Sequence, residues 1–388
     1  MTSLKRLFML DPGVTFLNHG SFGACPRPVF NAYQAWQRRL ENQPIQFFHH
    51  DLPGLVKETH RALGAYLNAS PDDLALVTNA TYGVNIISRS LALKPGDEIL
   101  TSDQEYGSCN SAWNFACRKT GATYIHHHMQ LPALSAKDIA DDFWQGVTSR
   151  TKVIFLSHIT APAALRFPIE EICRRARQNN ILTLIDGAHA PGQIPLDLTA
   201  IGADFYAGNC HKWMFCPKGA GFLYSRPEVQ HLVEPLVVSR AFEPEKEPAG
   251  GHPMVDYFTW TGTRDPASFL SIPAAIEFME KYHWDEVRQQ CHALLRWAIS
   301  QICDMTGLEP LYPLDSDFYA QMGIAPLPPV KDLPAFRQRL YNDFHIVIPI
   351  GPWKEHLFAR ISVQGYNTKA DIEALLKVLR QLLSEFSE

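Results

Sequence analysis

The stretch ADFYAGNCHKWMFCPKGAGFLYS, residues 203–225, sets one lysine between two predicted strands. ADFYAGN (203–209) and GAGFLYS (219–225) have the length and the apolar, aromatic composition of buried strands. Lys212 lies in the connection CHKWMFCPK, among mostly apolar residues. A loop lysine is usually solvated, but an amine partly removed from water has a lowered pKa and becomes a nucleophile toward aldehydes. The stretch therefore predicts a reactive lysine at a strand end.

The chain before this stretch alternates short apolar runs with amphipathic runs. Strands are predicted at 73–79, 97–103, 122–128, 152–159 and 181–186, and helices at 82–93, 108–121 and 168–180. Strands that alternate with helices indicate an α/β fold with a mainly parallel sheet covered on both faces. Ligands of such sheets bind beyond the carboxyl ends of the strands. The predicted strand exits are 78–81, 103–106, 157–160, 186–189 and 208–212.

The last third of the chain is predicted to be more helical. Residues 267–284 are predicted to form one long helix, further helix continues to Ile302, and a short α+β section ends in a helix at 371–386. The preceding segment 234–262 is rich in proline, glycine and glutamate, which predicts a connection or a lid. A chain of 388 residues, 46% of them hydrophobic, is long enough for two domains.

Charge and cysteine usage disfavour several classes of protein. The formal net charge is -5, and no basic run suits a nucleic-acid partner. No apolar run reaches the roughly 18 residues of a membrane-spanning helix, so we expect no membrane association. The eight cysteines are scattered without a CxxC pair, which is typical of reduced thiols. We therefore expect the protein in the cytoplasm.

Two more features at predicted strand exits bear on chemistry. Asp186 ends the run ILTLID; a lone aspartate is most often a cap or turn residue, but a carboxylate in poor solvent also pairs with buried cations such as a protonated ring nitrogen. NATYG (79–83) lies between a strand and a helix, where free N–H groups and the helix dipole bind phosphate, and Thr81 adds a hydroxyl. Ordinary N-caps share this pattern. The chain has no GxGxxG after its first strand and no GxxxxGK[ST].

A nucleophilic lysine, a carboxylate for a ring nitrogen and a phosphate cradle together predict pyridoxal 5'-phosphate as the cofactor. Six short motifs extend the match along residues 17–267: LNHGSFGACP, TNATYGVN, DGAHAPGQ, DFYAGNCHKW, GAGFLY and WTGTRDPA. RISVQGYNT (360–368) is a weaker match. With these motifs the chain resembles the class V aminotransferase family of fold-type I pyridoxal-phosphate enzymes, and in particular its isopenicillin N epimerase-like branch.

The resemblance implies a large domain around a mainly parallel, seven-stranded sheet and a smaller C-terminal α+β domain. The expected bounds are an N-terminal arm at 1–20, a cofactor-binding domain at 21–255 and a small domain at 256–388, which packs with the N-terminal segment.

The resemblance also implies roles for the residues around the cofactor. Lys212 would form the Schiff base, Asp186 would pair with the pyridine nitrogen, and His189, where many relatives have glutamine, would approach the 3'-oxygen of the ring. Tyr106 would stack on the ring face. The phosphate would be held by the Ala80 backbone, Thr81, His211 and, where many relatives have serine, Asn209.

Contacts to a substrate and to a partner follow from the same resemblance. Arg360 would clamp the α-carboxylate of a small amino-acid substrate by a bidentate pair, and Asn18 and His19 would border that substrate. Thr263 would reach the phosphate of a neighbouring subunit's cofactor, which implies a homodimer with shared active sites.

The histidine runs 49–50 and 126–128 raise the question of a metal site. No cysteine or carboxylate lies at a usual ligand spacing from the run 126–128, so we expect no bound metal.

Several reactions are compatible with these residues. The freed Lys212 can carry the proton in racemisation, transamination or β-elimination. The epimerase-like branch favours racemisation, which needs a second base, a tyrosine or a histidine; a C–S lyase or an aminotransferase needs Lys212 alone. Desulfuration through a persulfide is disfavoured because no cysteine lies between Cys303 and Arg360. An inactive binding homologue is disfavoured because Lys212 and Asp186 are both present.

Overall fold

Twelve strands are defined in the computed structural model, which describes residues 4–132, 135–239, 242, 252–353 and 356–387. In chain order they are β1 Thr15–Phe16, β2 Leu74–Val77, β3 Glu98–Ser102, β4 Thr123–His127, β5 Thr151–Ser157, β6 Leu182–Gly187, β7 Phe205–Asn209, β8 Gly221–Ser225, β9 Met322–Leu327, β10 Ile346–Val347, β11 Ile350–Trp353 and β12 His356–Ser362.

Fifteen α-helices are defined in the described residues, and single helices separate most strands from β2 to β7. They are α1 His19–Phe22, α2 Arg27–Asn42, α3 Pro44–Gln46, α4 Leu52–Leu67, α5 Ala80–Ser90, α6 Gly107–Thr120, α7 Ala136–Trp144, α8 Ile169–Gln178, α9 Leu198–Ile201, α10 Pro253–Thr259, α11 Ala267–Leu270, α12 Ile272–Lys281, α13 Trp284–Thr306, α14 Leu333–Asn342 and α15 Lys369–Glu385.

Seven strands form the central sheet, in the order β2-β8-β7-β6-β5-β3-β4. All neighbours pair in parallel except β8, which runs antiparallel to both β2 and β7. Strands β2, β3, β7 and β8 are buried at every position, as expected where helices cover both faces of a sheet. The predicted α/β class and the mainly parallel, seven-stranded sheet are therefore confirmed.

The carboxyl ends of β5, β6 and β7 form one row. Ser157 at the end of β5 pairs in register with Asp186 on β6, and Asp186 pairs with Ala207 on β7. Asn209 is the last residue of β7, and the loop that follows it carries His211 and Lys212. Parallel pairing thus brings together strand exits that are up to about 50 residues apart in the sequence.

A second, three-stranded antiparallel sheet has the order β11-β12-β9. The N-terminal segment joins it: β1 pairs in parallel with β10, the Leu17 N–H donates to the Val347 carbonyl (2.9 Å), and the Ser362 N–H donates to the Leu17 carbonyl (2.9 Å). Helices α11 and α12 pack instead against α2 and α4. The bounds expected at 1–20, 21–255 and 256–388 stay a prediction.

One sequence prediction in the last third is wrong in detail. The expected single helix at 267–284 is divided into α11 and α12, with Ser271 between them. Pro273 lies in the first turn of α12, where a proline fits without losing a hydrogen bond, whereas it could not continue α11. The predicted connection or lid at 234–262 contains residues 240, 241 and 243–251, which lie outside the described residues.

The N-terminal segment closes directly over the lysine loop. Gly23 has a φ of 70°, and a Cβ at this position would lie 2.4 Å from the His211 carbonyl oxygen and 2.8 Å from that of Lys212. Only glycine allows both this backbone conformation and this approach. The loop with Lys212 is therefore held between the central sheet and a segment that is anchored on the C-terminal sheet.

Candidate active site

A cavity of about 410 Å³ opens at the carboxyl edge of the central sheet. Its wall contains nine of the predicted site residues, namely Ala80, Thr81, Tyr106, Asp186, His189, Asn209, His211, Lys212 and Arg360. They come from the exits of four strands, from the lysine loop and from β12. The structure therefore brings together side chains that the sequence places 280 residues apart.

Lys212 lies in a loop of buried residues. The Cys216 N–H donates to the Cys210 carbonyl (3.0 Å) and closes the loop, and the side chains of Trp213 and Met214 have no exposed surface. Burial lowers the pKa of Lys212 to about 8, although the nearby Asp186 carboxylate opposes this shift. A far larger share of this amine than of an ordinary lysine is therefore neutral near physiological pH, and the neutral amine is the nucleophile.

Asp186 is a buried carboxylate with fixed donors. Its Oδ1 accepts from the Ala188 N–H (2.9 Å), and its Oδ2 accepts from the thiol of Cys109 on α6 (3.3 Å). Burial raises the pKa of Asp186 above its ordinary value. A cation placed against this carboxylate would lower the cost of burying its charge, so the site suits a protonated ring nitrogen.

His189 lies between two side chains of the lysine loop. Its Nε2 is 3.2 Å from Lys212 Nζ, and its Nδ1 is 3.3 Å from Trp213 Nε1. Its backbone carbonyl accepts from the Gln193 side-chain amide (2.7 Å). Burial lowers the pKa of His189 well below its ordinary value, so the ring is neutral.

The expected phosphate end of the cavity is the N-terminus of α5. Asn79 caps this helix, since its Oδ1 accepts from the Tyr82 N–H (2.9 Å). The Ala80 N–H donates to Asn209 Oδ1 (2.8 Å), so the backbone donor expected to bind phosphate already has a partner. The Thr81 N–H lies in the same first turn of α5, and no acceptor for it occurs within the described part of the chain. The Asn209 side chain is thus long enough to reach the helix end.

His211 lies at the same end and has one ring nitrogen engaged. Its Nδ1 is 3.1 Å from the Ala220 carbonyl oxygen, so this nitrogen carries a proton. Burial lowers the pKa of His211 to about 4. The neutral ring therefore has a bare Nε2, and it would donate to a phosphate only after gaining a second proton, which a nearby dianion favours.

Arg360 on β12 presents a guanidinium to the cavity. One terminal nitrogen donates to the Ala161 carbonyl (2.6 Å) and the other to Ser21 Oγ (3.1 Å), with Asn18 Oδ1 at 3.5 Å. Arg360 forms no ion pair with any described carboxylate, and burial lowers its pKa. Each terminal nitrogen has a second hydrogen, so an incoming carboxylate would find both a donor pair and an unpaired charge.

Three expected site residues, Asn18, His19 and Thr263, do not line this cavity. Asn18 lies beside it, with its Oδ1 3.5 Å from Arg360. His19 is fully buried beneath the lysine loop, where its Nε2 lies 3.2 Å from the Lys212 carbonyl and its Nδ1 lies 3.0 Å from the Tyr366 hydroxyl. It supports the Lys212 backbone from behind. Thr263 lies exposed in the loop between α10 and α11, away from the wall formed by its own chain.

Three neighbours of the site had no role in the sequence interpretation. Glu105 is buried, accepts from the Ser157 N–H (2.8 Å) and hydroxyl (2.6 Å), and has its pKa raised to about 8 by burial. Glu105 and Ser157 fall within the predicted strand exits, which was the available signal. Cys109 lies inside an amphipathic helix, and only the packing of α6 on the sheet brings its thiol to Asp186.

The histidine runs are engaged elsewhere. His126 packs against the Tyr124 ring, His127 lies 3.4 Å from Asp142, and His128 lies 3.4 Å from Asp103. Among the residues that the structure describes, no three histidine, cysteine, aspartate or glutamate side chains group in a way that could hold a metal. A membrane span would need a longer and more apolar helix than any described one.

The lysine, the buried carboxylate and the open helix end define a pyridoxal-phosphate site on an α/β fold. The family model described as "Aminotransferase class-V" matches residues 23–318, and the chain belongs to this family. The predicted family is therefore confirmed, and the chain is a pyridoxal-phosphate-dependent enzyme.

Three similar proteins show how widely the family varies. The chain is 33% identical over 383 residues to an isopenicillin N epimerase of Amycolatopsis lactamdurans, with 96% of each chain covered. It is 27% identical over 428 residues to a putative L-cysteine desulfhydrase of Oryza sativa subsp. japonica, with 97% of this chain and 84% of that one covered. A solved structure of a C-DES mutant with glycine covalently linked to its cofactor has a TM-score of 0.79 at 21% identity, with 97% and 98% covered, which shows a shared fold.

The residues present fit the cofactor. A buried carboxylate without a cation lies on β6, an amine with a lowered pKa lies near it, and the Thr81 N–H is open at a helix end. These groups face one cavity of about 410 Å³. Lys212, Asp186 and His189 would hold the ring, and Thr81, His211 and the α5 end would hold the phosphate.

Proposed function

We propose that this enzyme inverts the configuration at Cα of an amino-acid substrate. The observation that carries the proposal is the 33% identity to an isopenicillin N epimerase, because this likeness extends over 96% of both chains. Epimerisation removes the Cα proton on one face and returns a proton on the other. It consumes no other reactant.

Lys212 is the proton carrier on one face of the substrate. Its amine is released once the substrate amine takes its place, and burial holds its pKa near 8, which suits both taking and giving a proton near neutral pH. When bound, the cofactor accepts the electron pair left at Cα. Asp186 stabilises the positive ring nitrogen on which that electron acceptance depends.

Tyr106 is our candidate for the residue that transfers the proton on the second face of Cα. It lines the cavity from the β3 exit, on the far side of the β5 and β6 exits from Lys212, and 49% of its surface is exposed. The two histidines of the wall are held through one ring nitrogen each, by Ala220 and by Trp213. Tyr106→Phe should therefore abolish inversion while Lys212 still exchanges the Cα proton on its own face.

The substrate would be anchored by its α-carboxylate on Arg360. A second cavity, of about 380 Å³, is also lined by this guanidinium and shares Ser21 and Ala161 with the first. Its remaining wall is mainly apolar and includes Val347, Ile348, Pro349, Ile350, Pro352 and Phe358. We infer that this apolar chamber receives an uncharged side chain larger than that of cysteine.

A β-elimination lyase is the second candidate. The 27% identity to a putative L-cysteine desulfhydrase over 97% of this chain supports it. Elimination needs only Lys212 at Cα and a leaving group at Cβ; with cysteine and water the products would be pyruvate, ammonia and hydrogen sulfide. Desulfuration through a persulfide is not proposed, because the sequence from 304 to Arg360 has no cysteine to carry the sulfur.

A panel of L-amino acids in deuterated water separates these reactions. We expect the D-isomer with deuterium at Cα, without ammonia, and better turnover of norleucine or methionine than of alanine. Ammonia with a keto acid and no D-isomer would establish the lyase instead. Amine transfer to an added keto acid would establish an aminotransferase, and either outcome would overturn the epimerase.

We further propose a homodimer in which Thr263 serves the partner's site. The exposed position of Thr263, outside the wall of its own cavity, supports this. Mixing Lys212→Ala with Thr263→Ala chains should restore activity, since one of the two sites in a mixed dimer would have both native residues. Mixing Lys212→Ala with Asp186→Ala should restore none. The cytoplasm remains our expected location.

A further inference from the structure

The contacts of His189 determine which of its nitrogens carries the proton. The indole N–H of Trp213 can only donate, and it lies 3.3 Å from His189 Nδ1. This nitrogen must therefore accept and has no proton. Because the neutral imidazole carries a single proton, that proton is on Nε2, which lies 3.2 Å from Lys212 Nζ.

The same contacts determine the state of the lysine. An ammonium group can only donate, so it would need a bare Nε2 as its acceptor. Nδ1 is already the bare nitrogen, and a neutral ring has only one. The hydrogen bond between Nε2 and Lys212 Nζ is therefore possible only when Nε2–H donates to the lone pair of a neutral amine.

We propose that Trp213 is a positioning residue that holds His189 in its Nε2–H tautomer, and that this tautomer favours the neutral amine of Lys212. The inference rests on the cofactor site alone and is independent of the reaction at Cα. The proton on Nε2 is also the one that His189 would offer to the ring oxygen of the cofactor.

The packing leaves Trp213 and His189 little freedom. Gly192 has a φ of 85°, and a Cβ there would lie 2.3 Å from the backbone carbonyl of Trp213, so the loop with His189 lies directly on the tryptophan backbone. The indole also packs against the His19 ring, with ring centroids 4.8 Å apart. Both side chains are buried, and among the described residues the Trp213 indole N–H is the hydrogen-bond partner of His189 Nδ1.

A matched control is present in the same chain. Trp113 on α6 is also fully buried, but its indole nitrogen has no hydrogen-bond partner among the described residues. Trp113→Phe and Trp213→Phe therefore remove similar volumes from the interior, whereas Trp213→Phe alone removes a hydrogen bond to His189.

The first test is nitrogen-15 NMR of the histidine side chains in the full-length holoenzyme, with the His189 signals assigned by their loss in His189→Gln. We expect Nδ1 bare and Nε2 protonated in the unaltered enzyme and in Trp113→Phe, and a mixture of tautomers in Trp213→Phe. A proton on Nδ1 in the unaltered enzyme would overturn the proposal without any variant. Unchanged His189 signals in Trp213→Phe would overturn it as well.

The second test follows uptake of pyridoxal 5'-phosphate by the full-length chain freed of cofactor, by visible absorbance at pH 7. Trp213→Phe lets His189 accept from the ammonium form, so we expect uptake about two- to tenfold slower than in Trp113→Phe. In a His189→Gln background the two tryptophan substitutions should have equal effects. Equal effects with His189 in place would refute the proposal.

Discussion

The two halves of the cavity are built in different ways. The ring half, defined by Lys212, Asp186 and His189, is buried, and each polar group has a partner from the central sheet, α6 or the lysine loop. The carboxylate half, defined by Arg360, Ser21 and the apolar chamber, is assembled from the N-terminal segment and the C-terminal sheet, and it opens to solvent.

This difference assigns different tasks to the two halves. Burial favours the neutral amine of Lys212, which covalent and proton-transfer chemistry requires. Burial also makes the Asp186 carboxylate costly to keep charged, so this carboxylate favours a cation such as a protonated ring nitrogen beside it. Arg360 forms no ion pair with a carboxylate of the described residues, so its charge is available to an incoming anion. We therefore expect substitutions in the ring half to act on kcat and substitutions in the carboxylate half to act on KM and on substrate choice.

The largest effect is expected at Lys212. Lys212→Ala removes both the covalent attachment and the proton carrier, so turnover should fall by at least about 1,000-fold. Lys218→Ala is the control, because Lys218 is a nearby, exposed lysine that donates to the Gly23 carbonyl (3.1 Å) outside the cavity. Steady-state kinetics and the absorbance of the bound cofactor would measure both. Normal turnover of Lys212→Ala would refute its role.

Asp186→Asn should reduce kcat by about 100- to 1,000-fold, because an amide cannot stabilise a positive ring nitrogen as a carboxylate does. Asp204→Asn is the control variant, because it changes a buried carboxylate outside the active site. Asp204 is a buried carboxylate of the same sheet, but it accepts from Arg226 and Thr183, so this change should lower the melting temperature and leave kcat near normal. Comparable losses of kcat in both variants would mean that Asp186 acts only through stability.

Arg360→Lys keeps the charge but loses the planar pair of donors. We expect KM for the amino acid to rise about 10- to 100-fold with a smaller change in kcat. Arg337→Lys, where the guanidinium contacts the Ile350 carbonyl on the same sheet, should leave KM unchanged. A loss confined to kcat would place Arg360 in the chemistry rather than in substrate binding.

Cofactor uptake should depend on pH through Lys212. Its pKa in the folded chain is lowered from 10.5 to about 8, so the amine is mostly protonated below pH 8 and mostly neutral above it. The uptake rate should therefore fall about tenfold for each pH unit below 8 and level off above 8. Stopped-flow absorbance would record the profile. A midpoint near 10.5 would show that burial does not shift this pKa.

The smallest effect is expected in the apolar chamber. Ile348→Trp should fill part of it and reduce kcat/KM for norleucine by at most about tenfold, while alanine is unaffected. Tyr341→Trp is the control, because Tyr341 is 56% exposed and lies outside the chamber wall. Equal losses for alanine and norleucine would show that the chamber does not receive the side chain.

Much of the architecture was predictable from local pattern. The alternating apolar and amphipathic runs predicted the strands of the central sheet to within two residues at most ends, because burial on both faces leaves a strong compositional signal. The break between α11 and α12 was missed because the apolar pattern continues across it. The role of Asn209 was also hidden, since its bond to the Ala80 N–H joins residues 129 positions apart.

The sequence by itself determined the family, the fold class and the cofactor, because the lysine, the aspartate and the glycine-containing turns are local motifs with chemical requirements of their own. Only the tertiary structure decided the states of these groups. The pKa of Lys212, the donors to Asp186 and the tautomer of His189 depend on what surrounds each side chain, and those neighbours come from distant segments of the chain. Burial and hydrogen bonding are properties of the packed molecule, and they convert reactive residue types into a site with defined protonation.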